Sequence, residues 1–165
     1  MTENMTIGVT IGENCSIDPT VKFVVDPSSN DRPIVIERDV IIRSGAILYE
    51  GVVVRHSTTI DHYAIIRNGT ELGCNNRIMN FSEIGRDVKI GSHSRIGGFV
   101  CNRSQIGDQS VCLGDLVHRY ELSEVPSEEA SPTIGSNVLV ARGATIVGAT
   151  TICDGEIVKI GEIRK

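Results

Sequence analysis

A chain of 165 residues has the length of one domain. Its 16 Lys and Arg against 21 Asp and Glu leave a formal charge of −5, which excludes the clustered positive excess of a nucleic-acid-binding surface. With no Trp, three Phe and three Tyr, the core must rely on Ile, Val and Leu.

The start, MTENMTIGVT, lacks a basic region followed by an apolar run, and no segment approaches the ~18 apolar residues of a membrane span. Cys15, Cys74, Cys101, Cys112 and Cys153 lie far apart without a CxxC pair. That pattern suits free thiols in a reducing cytoplasm, so the reading is a soluble, cytoplasmic protein.

Taken in chain order, Ile11, Ile17 and Phe23 begin a run of apolar residues at six-residue spacing. Residues 24–33, VVDPSSNDRP, interrupt it with two prolines and turn signals, an excursion between coils. The period then holds through eleven positions, from Ile36 through Leu48, Ile60, Leu72 and Ile84 to Ile96. Neither a helix nor an alternating strand repeats in sixes. A chain that turns a corner at each repeat does, three flat faces making one coil and coils stacking as parallel sheets. The residue four after each aliphatic, such as Ala46, Thr58, Ala64 or Ser94, also faces the narrow interior and is small. Gly and Asn supply the corner conformations.

Between Ile96 and Ile106 the phase slips by two residues, placed near Cys101–Arg103. Ile106, Cys112 and His118 then form a short run that ends at a long insertion, 119–133, RYELSEVPSEEASPT. Ile134, Val140, Ile146, Ile152 and Val158 resume the repeat. The predicted fold is all-β: a left-handed parallel β-helix of about seven coils in one domain, 1–165, with excursions at 24–33 and 119–133. Apolar residues on its flat outer faces, among them Ile41, Ile47, Val53 and Ile65, predict self-association.

VIIRSGAILYEGV (40–52), AIIRNGTELG (64–73) and the sequence from LGDLVHRY through the loop to PTIGSNVLVARGATIVGATTI (113–152) resemble the hexapeptide-repeat acyltransferase superfamily. The resemblance is to its branch acetylating sugars and amino-sugars on nucleotide carriers, and it covers nearly all of 6–160. It implies a homotrimer with acetyl-CoA in the groove between neighbouring prisms, a loop reaching the adjacent subunit, and no metal. At 155–165, GEIVKIGEIRK, the chain departs from the pattern, where members continue with an AG-rich corner and a Pro-Ala segment.

His118, at the base of the insertion, is the predicted general base, since neutral imidazole can take the proton of an attacking hydroxyl or amine. Asp115 would orient it. His93 is the alternative base. Asn80, Asn102 and Arg103 are the predicted sugar contacts. Ala141, Gly143, Val147, Gly148 and Ala149 are small enough for a pantetheine arm to approach the backbone, and Arg142, Arg164 and Lys165 could pair with phosphates. Two other classes compete. A γ-type carbonic anhydrase would need three converging histidines, which the spacing of His56, His62, His93 and His118 does not provide. A non-catalytic β-helix for assembly or sugar binding is the other.

Overall fold

A computed structural model describes residues 8–25, 32–119 and 130–165. Among them, twenty-four short strands form three eight-stranded parallel sheets, and successive strands visit the sheets in rotation. The result is a left-handed parallel β-helix of three-sided coils. We label the sheets A, B and C in the order the chain enters them, so each coil has an A–B, a B–C and a C–A edge.

The six-residue period becomes register. In sheet A, Ile36, Val54, Leu72, Ile90, Ile106, Ile134 and Ile152 stack directly. Ile42, Ile60, Ile78, Ile96, Cys112, Val140 and Val158 do so in sheet B. All these side chains are buried, each contributing about 1.5–3 kcal/mol that only a neighbouring coil makes available. Ile11 also points inward but stays 49% exposed, because it stacks on one side only, against Ile36.

The small residues four further on line a second interior column. The Thr58 hydroxyl accepts from the Asn76 amide, the Asn76 carboxamide oxygen from the Ser94 amide, the Ser94 hydroxyl from the Ser110 amide, and the Ser110 hydroxyl from the Val138 amide. The same side chains donate to corner carbonyls, Asn76 to both Gly73 and Gly91. A polar column thus survives in the interior because every member has a partner in the next coil.

Three expectations are corrected. Among the described residues the coils number eight rather than about seven, because sheet C includes Val100, Leu116 and Arg164. The slip placed near Cys101–Arg103 is a shortened B–C corner at Gly97–Gly98, only three residues separating Ile96 from Val100. The same shortening recurs one coil on at Leu113–Gly114, so Leu116, not His118, fills the core position between Val100 and Ile146. Glycine makes both corners possible: a Cβ on Gly98 would meet the Gly114 carbonyl and the Asp115 carboxylate beneath.

The excursions at 24–33 and 119–133 lie mostly outside the described residues. Their flanks show where they leave: from strand Lys22–Val24 to strand Ile34–Ile36, and from strand Asp115–Val117 to strand Thr133–Ile134. Both depart from the C–A edge, which makes that edge distinct from the other two.

Candidate functional site

His118 sits on the C–A edge, two residues past Leu116, where strand Asp115–Val117 ends. Its neighbours in the next coil hold that strand end in place. Val117 pairs with Val147, and the Val117 carbonyl accepts the Gly148 amide at 2.9 Å. Gly148 has φ 66°, and a Cβ there would crowd Arg119, so the glycine lets the two coils close beneath the histidine.

The imidazole is 7% exposed, and its Nδ1 lies 3.3 Å from the Ala130 carbonyl oxygen. A carbonyl only accepts, so in this contact Nδ1 carries the proton, and in the neutral ring the lone pair is on Nε2. The next residue, Ser131, donates its hydroxyl to the Asn102 carbonyl at 2.6 Å. Residues 130–131 therefore tie His118 to the corner one coil earlier. At that corner the Asn102 Oδ1 accepts the Arg86 amide at 2.8 Å, and Arg103, at φ 61°, donates its amide to the Arg86 carbonyl at 2.7 Å.

A cavity of about 340 Å³ opens alongside, lined by Arg67, Asn68, Glu83, Arg86, Phe99 and Asn102. Arg67 is fixed there: it pairs with Glu83 at 3.0 Å, lies 5.0 Å over the Tyr49 ring and donates to its hydroxyl at 3.1 Å. The cavity thus joins an aromatic face, guanidinium groups and carboxamides, chemistry suited to a polar ring carrying negative charge. A second groove, about 350 Å³, crosses sheet A past Glu71, Lys89 and Gln105 to the A–B corners, away from His118.

Of the predicted site residues, His118, Asn102, Arg103, Val147, Gly148 and Ala149 share the C–A edge. Asn80, Ala141, Arg142 and Gly143 lie on the B–C edge instead, across sheet C. Asn80 serves its corner by accepting the His62 amide at 3.2 Å. Asp115 points outward, and its Oδ1 accepts the Phe99 amide at 2.9 Å, stabilising the shortened corner rather than contacting the imidazole. His93 occupies an A–B corner, while Arg164 pairs with Glu162 at 2.7 Å in the last coil. The four histidines stand on different edges or coils. Among the described residues no three His, Cys, Asp or Glu side chains cluster as metal ligands would.

All five cysteines are free, and burial pushes the Cys112 thiol up to about 12, with the Asp115 carboxylate adding to the shift. Cys112 is a core side chain, not a nucleophile. Phe99, Arg67 and Arg86 were not among the sequence candidates. The four-residue spacing from Ile96 to Val100 was the available signal for Phe99, since it turns that ring outward.

Residues 69–101 match the family described as bacterial transferase hexapeptide (six repeats). Among solved structures, the chain is similar to the acetyltransferase domain of PglB from Neisseria gonorrhoeae, determined with acetyl coenzyme A. The identity is 16%, with 89% of this chain and 55% of that one covered and a TM-score of 0.52. PerB from Caulobacter crescentus, determined with CoA and GDP-perosamine, is 11% identical over 96% of this chain and 52% of that one, with a TM-score of 0.48. The chain spans about half the length of each. At such identities the likeness is one of fold. No curated protein sequence matches. Among the described residues no helix is long and apolar enough to cross a membrane.

Proposed function

We propose that this chain, a left-handed β-helix whose residues 69–101 match the bacterial transferase hexapeptide family, moves an acetyl group from acetyl-CoA to a hydroxyl or amine of a sugar, nucleotide-linked in the fullest form of the reading. The protein acts as a cytoplasmic homotrimer of single-domain subunits. His118 is the general base. The single observation that carries the reading is the His118 Nδ1 contact to the Ala130 carbonyl, which orients the imidazole at the edge from which both excursions leave.

In this mechanism Nε2 accepts the proton of the acceptor hydroxyl or amine as its oxygen or nitrogen bonds to the thioester carbon. Backbone N–H groups stabilise the oxyanion of the tetrahedral intermediate. Collapse breaks the carbon–sulfur bond, and the proton held by His118 returns to the departing CoA thiolate. Phe99, Arg86 and Asn102 hold the acceptor in the adjoining cavity. Val147, Gly148 and Ala149 border the path of the pantetheine arm on the same edge. The acetyl coenzyme A held by the PglB acetyltransferase domain supports the donor assigned here.

The test is release of the CoA thiol with a panel of amino-sugars and nucleotide-sugars, comparing wild type with His118→Ala. Sugar-dependent release that the substitution removes supports the reading; no release with any acceptor contradicts it. One observation favours a second reading. A histidine 7% exposed and bonded to a backbone carbonyl also suits a structural residue in a non-catalytic, sugar-binding β-helix. Sugar binding without thiol release would select that reading.

A further inference from the structure

We infer that the acceptor carries an oxyanion, a carboxylate or a phosphate on its sugar, and that Arg86 is the residue that selects it. The inference rests on the proposed function for the acceptor's place beside His118, and names the class of sugar which that place takes.

The first observation is a column. Arg86, Asn102 and His118 each stand two residues past the core side chains Ile84, Val100 and Leu116, which stack in sheet C. They therefore occupy the same corner position in three successive coils of the C–A edge. Parallel strands lie about 4.8 Å apart, which puts the Arg86 and His118 positions about 10 Å apart along the axis. Hydrogen bonds of about 2.8 Å at each end leave about 4 Å between them, the reach across one sugar ring. One acidic sugar can thus place its oxyanion on the guanidinium and its far hydroxyl or amine at the imidazole.

The second observation is charge. Among the described residues, the charged side chains lining the cavity are Arg67, Glu83 and Arg86. Glu83 is already engaged, its Oε1 accepting from two guanidinium nitrogens of Arg67 at 3.2 Å and 3.0 Å. Among the same residues the Arg86 guanidinium makes no ion pair and no hydrogen bond. The adjoining Asp87 does not neutralise it, lying instead 3.8 Å from Arg32. Asp115, next to Phe99 on sheet C, gives its Oδ1 to the Phe99 amide. The cavity is left with one positive charge in a chain whose net charge is −5. A guanidinium in a cavity without a carboxylate of its own suits a ligand's oxyanion, which it can bind through paired N–H donors.

The third observation is how the corner is held. The Arg86 amide donates to the Asn102 Oδ1 at 2.8 Å, and the Arg86 carbonyl accepts the Arg103 amide at 2.7 Å. Gly85 makes the first of these bonds possible, because a Cβ there would strike the Asn102 backbone and carboxamide. The backbone of Arg86 is thus fixed on both sides while its side chain stays exposed. With Oδ1 engaged, the Asn102 Nδ2 supplies two donors for ring hydroxyls. Phe99, 41% exposed, gives the cavity an apolar wall. A neutral sugar would use Asn102 and Phe99 but gain nothing from Arg86, and a cationic sugar would be repelled by it.

The experiment is calorimetric titration of the full chain with glucuronate, glucose 6-phosphate, glucose, glucosamine and CoA, repeated with Arg86→Gln. The Arg86 side chain makes no bond within the described fold, so circular dichroism of the variant should match wild type. The expected result is an anionic sugar bound at least about tenfold more tightly than glucose, with that preference lost in Arg86→Gln. Tighter glucuronate would assign a sugar acid; tighter glucose 6-phosphate would assign a sugar phosphate. Equal affinity for neutral and anionic sugars, a preference that survives Arg86→Gln, or no sugar binding would overturn the inference. So would a loss in Arg86→Gln confined to CoA, which would give the guanidinium to the donor's phosphates. Anion preference through Arg86 without thiol release from acetyl-CoA would retain the site and refute only the catalytic reading. Thiol release with neutral sugars, indifferent to Arg86→Gln, would do the reverse.

Discussion

The Nδ1 of His118 lies 3.3 Å from the carbonyl oxygen of Ala130, and the neighbouring Ser131 hydroxyl is held at 2.6 Å by the Asn102 carbonyl. Residues 130–131, at the end of the insertion, thereby hold the imidazole through Nδ1 and the corner at Asn102 through one short segment. His118→Ala is expected to lower acetyl-transfer turnover by about 10²–10⁴-fold while sedimentation stays unchanged. An unaffected rate would remove His118 from the mechanism. Ser131→Ala is expected to act more weakly, shifting the pH profile of turnover, because it loosens the segment that orients the ring without deleting the base.

The interior polar column makes Asn76 the most heavily bonded side chain of its coil. Its carboxamide donates to Gly73 at 3.0 Å and Gly91 at 2.7 Å and accepts from Ser94 at 2.8 Å, all at a buried position. Asn76→Ala would leave the Ser94 N–H without that partner and is expected to cost about 2–4 kcal/mol in urea denaturation. Asn76→Ser, the residue type used at 94 and 110, should lose less. Equal, negligible losses would show that the column does not stabilise the stack.

Gly45 tests from below the stacked pair of Tyr63 and Phe81, whose ring centroids lie 5.4 Å apart. Its φ is 72°, and a Cβ there would run into the Tyr63 ring. Gly45→Ala is expected to cost at least ~1–2 kcal/mol for the left-handed backbone and to change the near-ultraviolet dichroism as Tyr63 leaves Phe81. An unchanged spectrum would mean that the pair does not depend on the missing side chain.

Cys112 gives a pH dependence of definite sign. Its thiol titrates near 9.0 when unperturbed and at about 12 when folded, chiefly because burial disfavours the thiolate. The folded state thus retains a proton that the unfolded chain releases. Its stabilising contribution is complete below pH 9 and is lost as pH rises toward 12, at up to ~1.4 kcal/mol per pH unit. Cys112→Val, matching Val140 in the next coil, should flatten that decline. A decline of the same slope in the variant would assign it to other groups.

The fold was legible because one period repeats through Ile36 to Ile96, and each of those side chains is buried. What counting could not resolve was a corner of variable length. At Gly97–Gly98 and Leu113–Gly114 the chain turns in two fewer residues, which brought Val100 and Leu116 into the core and displaced His118 from the position its spacing suggested. Site residues suffered from the same arithmetic. Asn80 and Asn102 look equivalent in sequence, yet they stand on different edges. Asp115 looked like a partner for His118, but the shortened corner gives its carboxylate to the Phe99 amide. The Ala130 and Ser131 contacts are long-range and come from within the insertion, so no local pattern encodes them.

The measurement that tests the central claim most directly is calorimetric titration of the purified full chain with acetyl-CoA and, separately, CoA. Saturable binding at one site per subunit is the result this account predicts. No binding at millimolar concentrations of either ligand would contradict it.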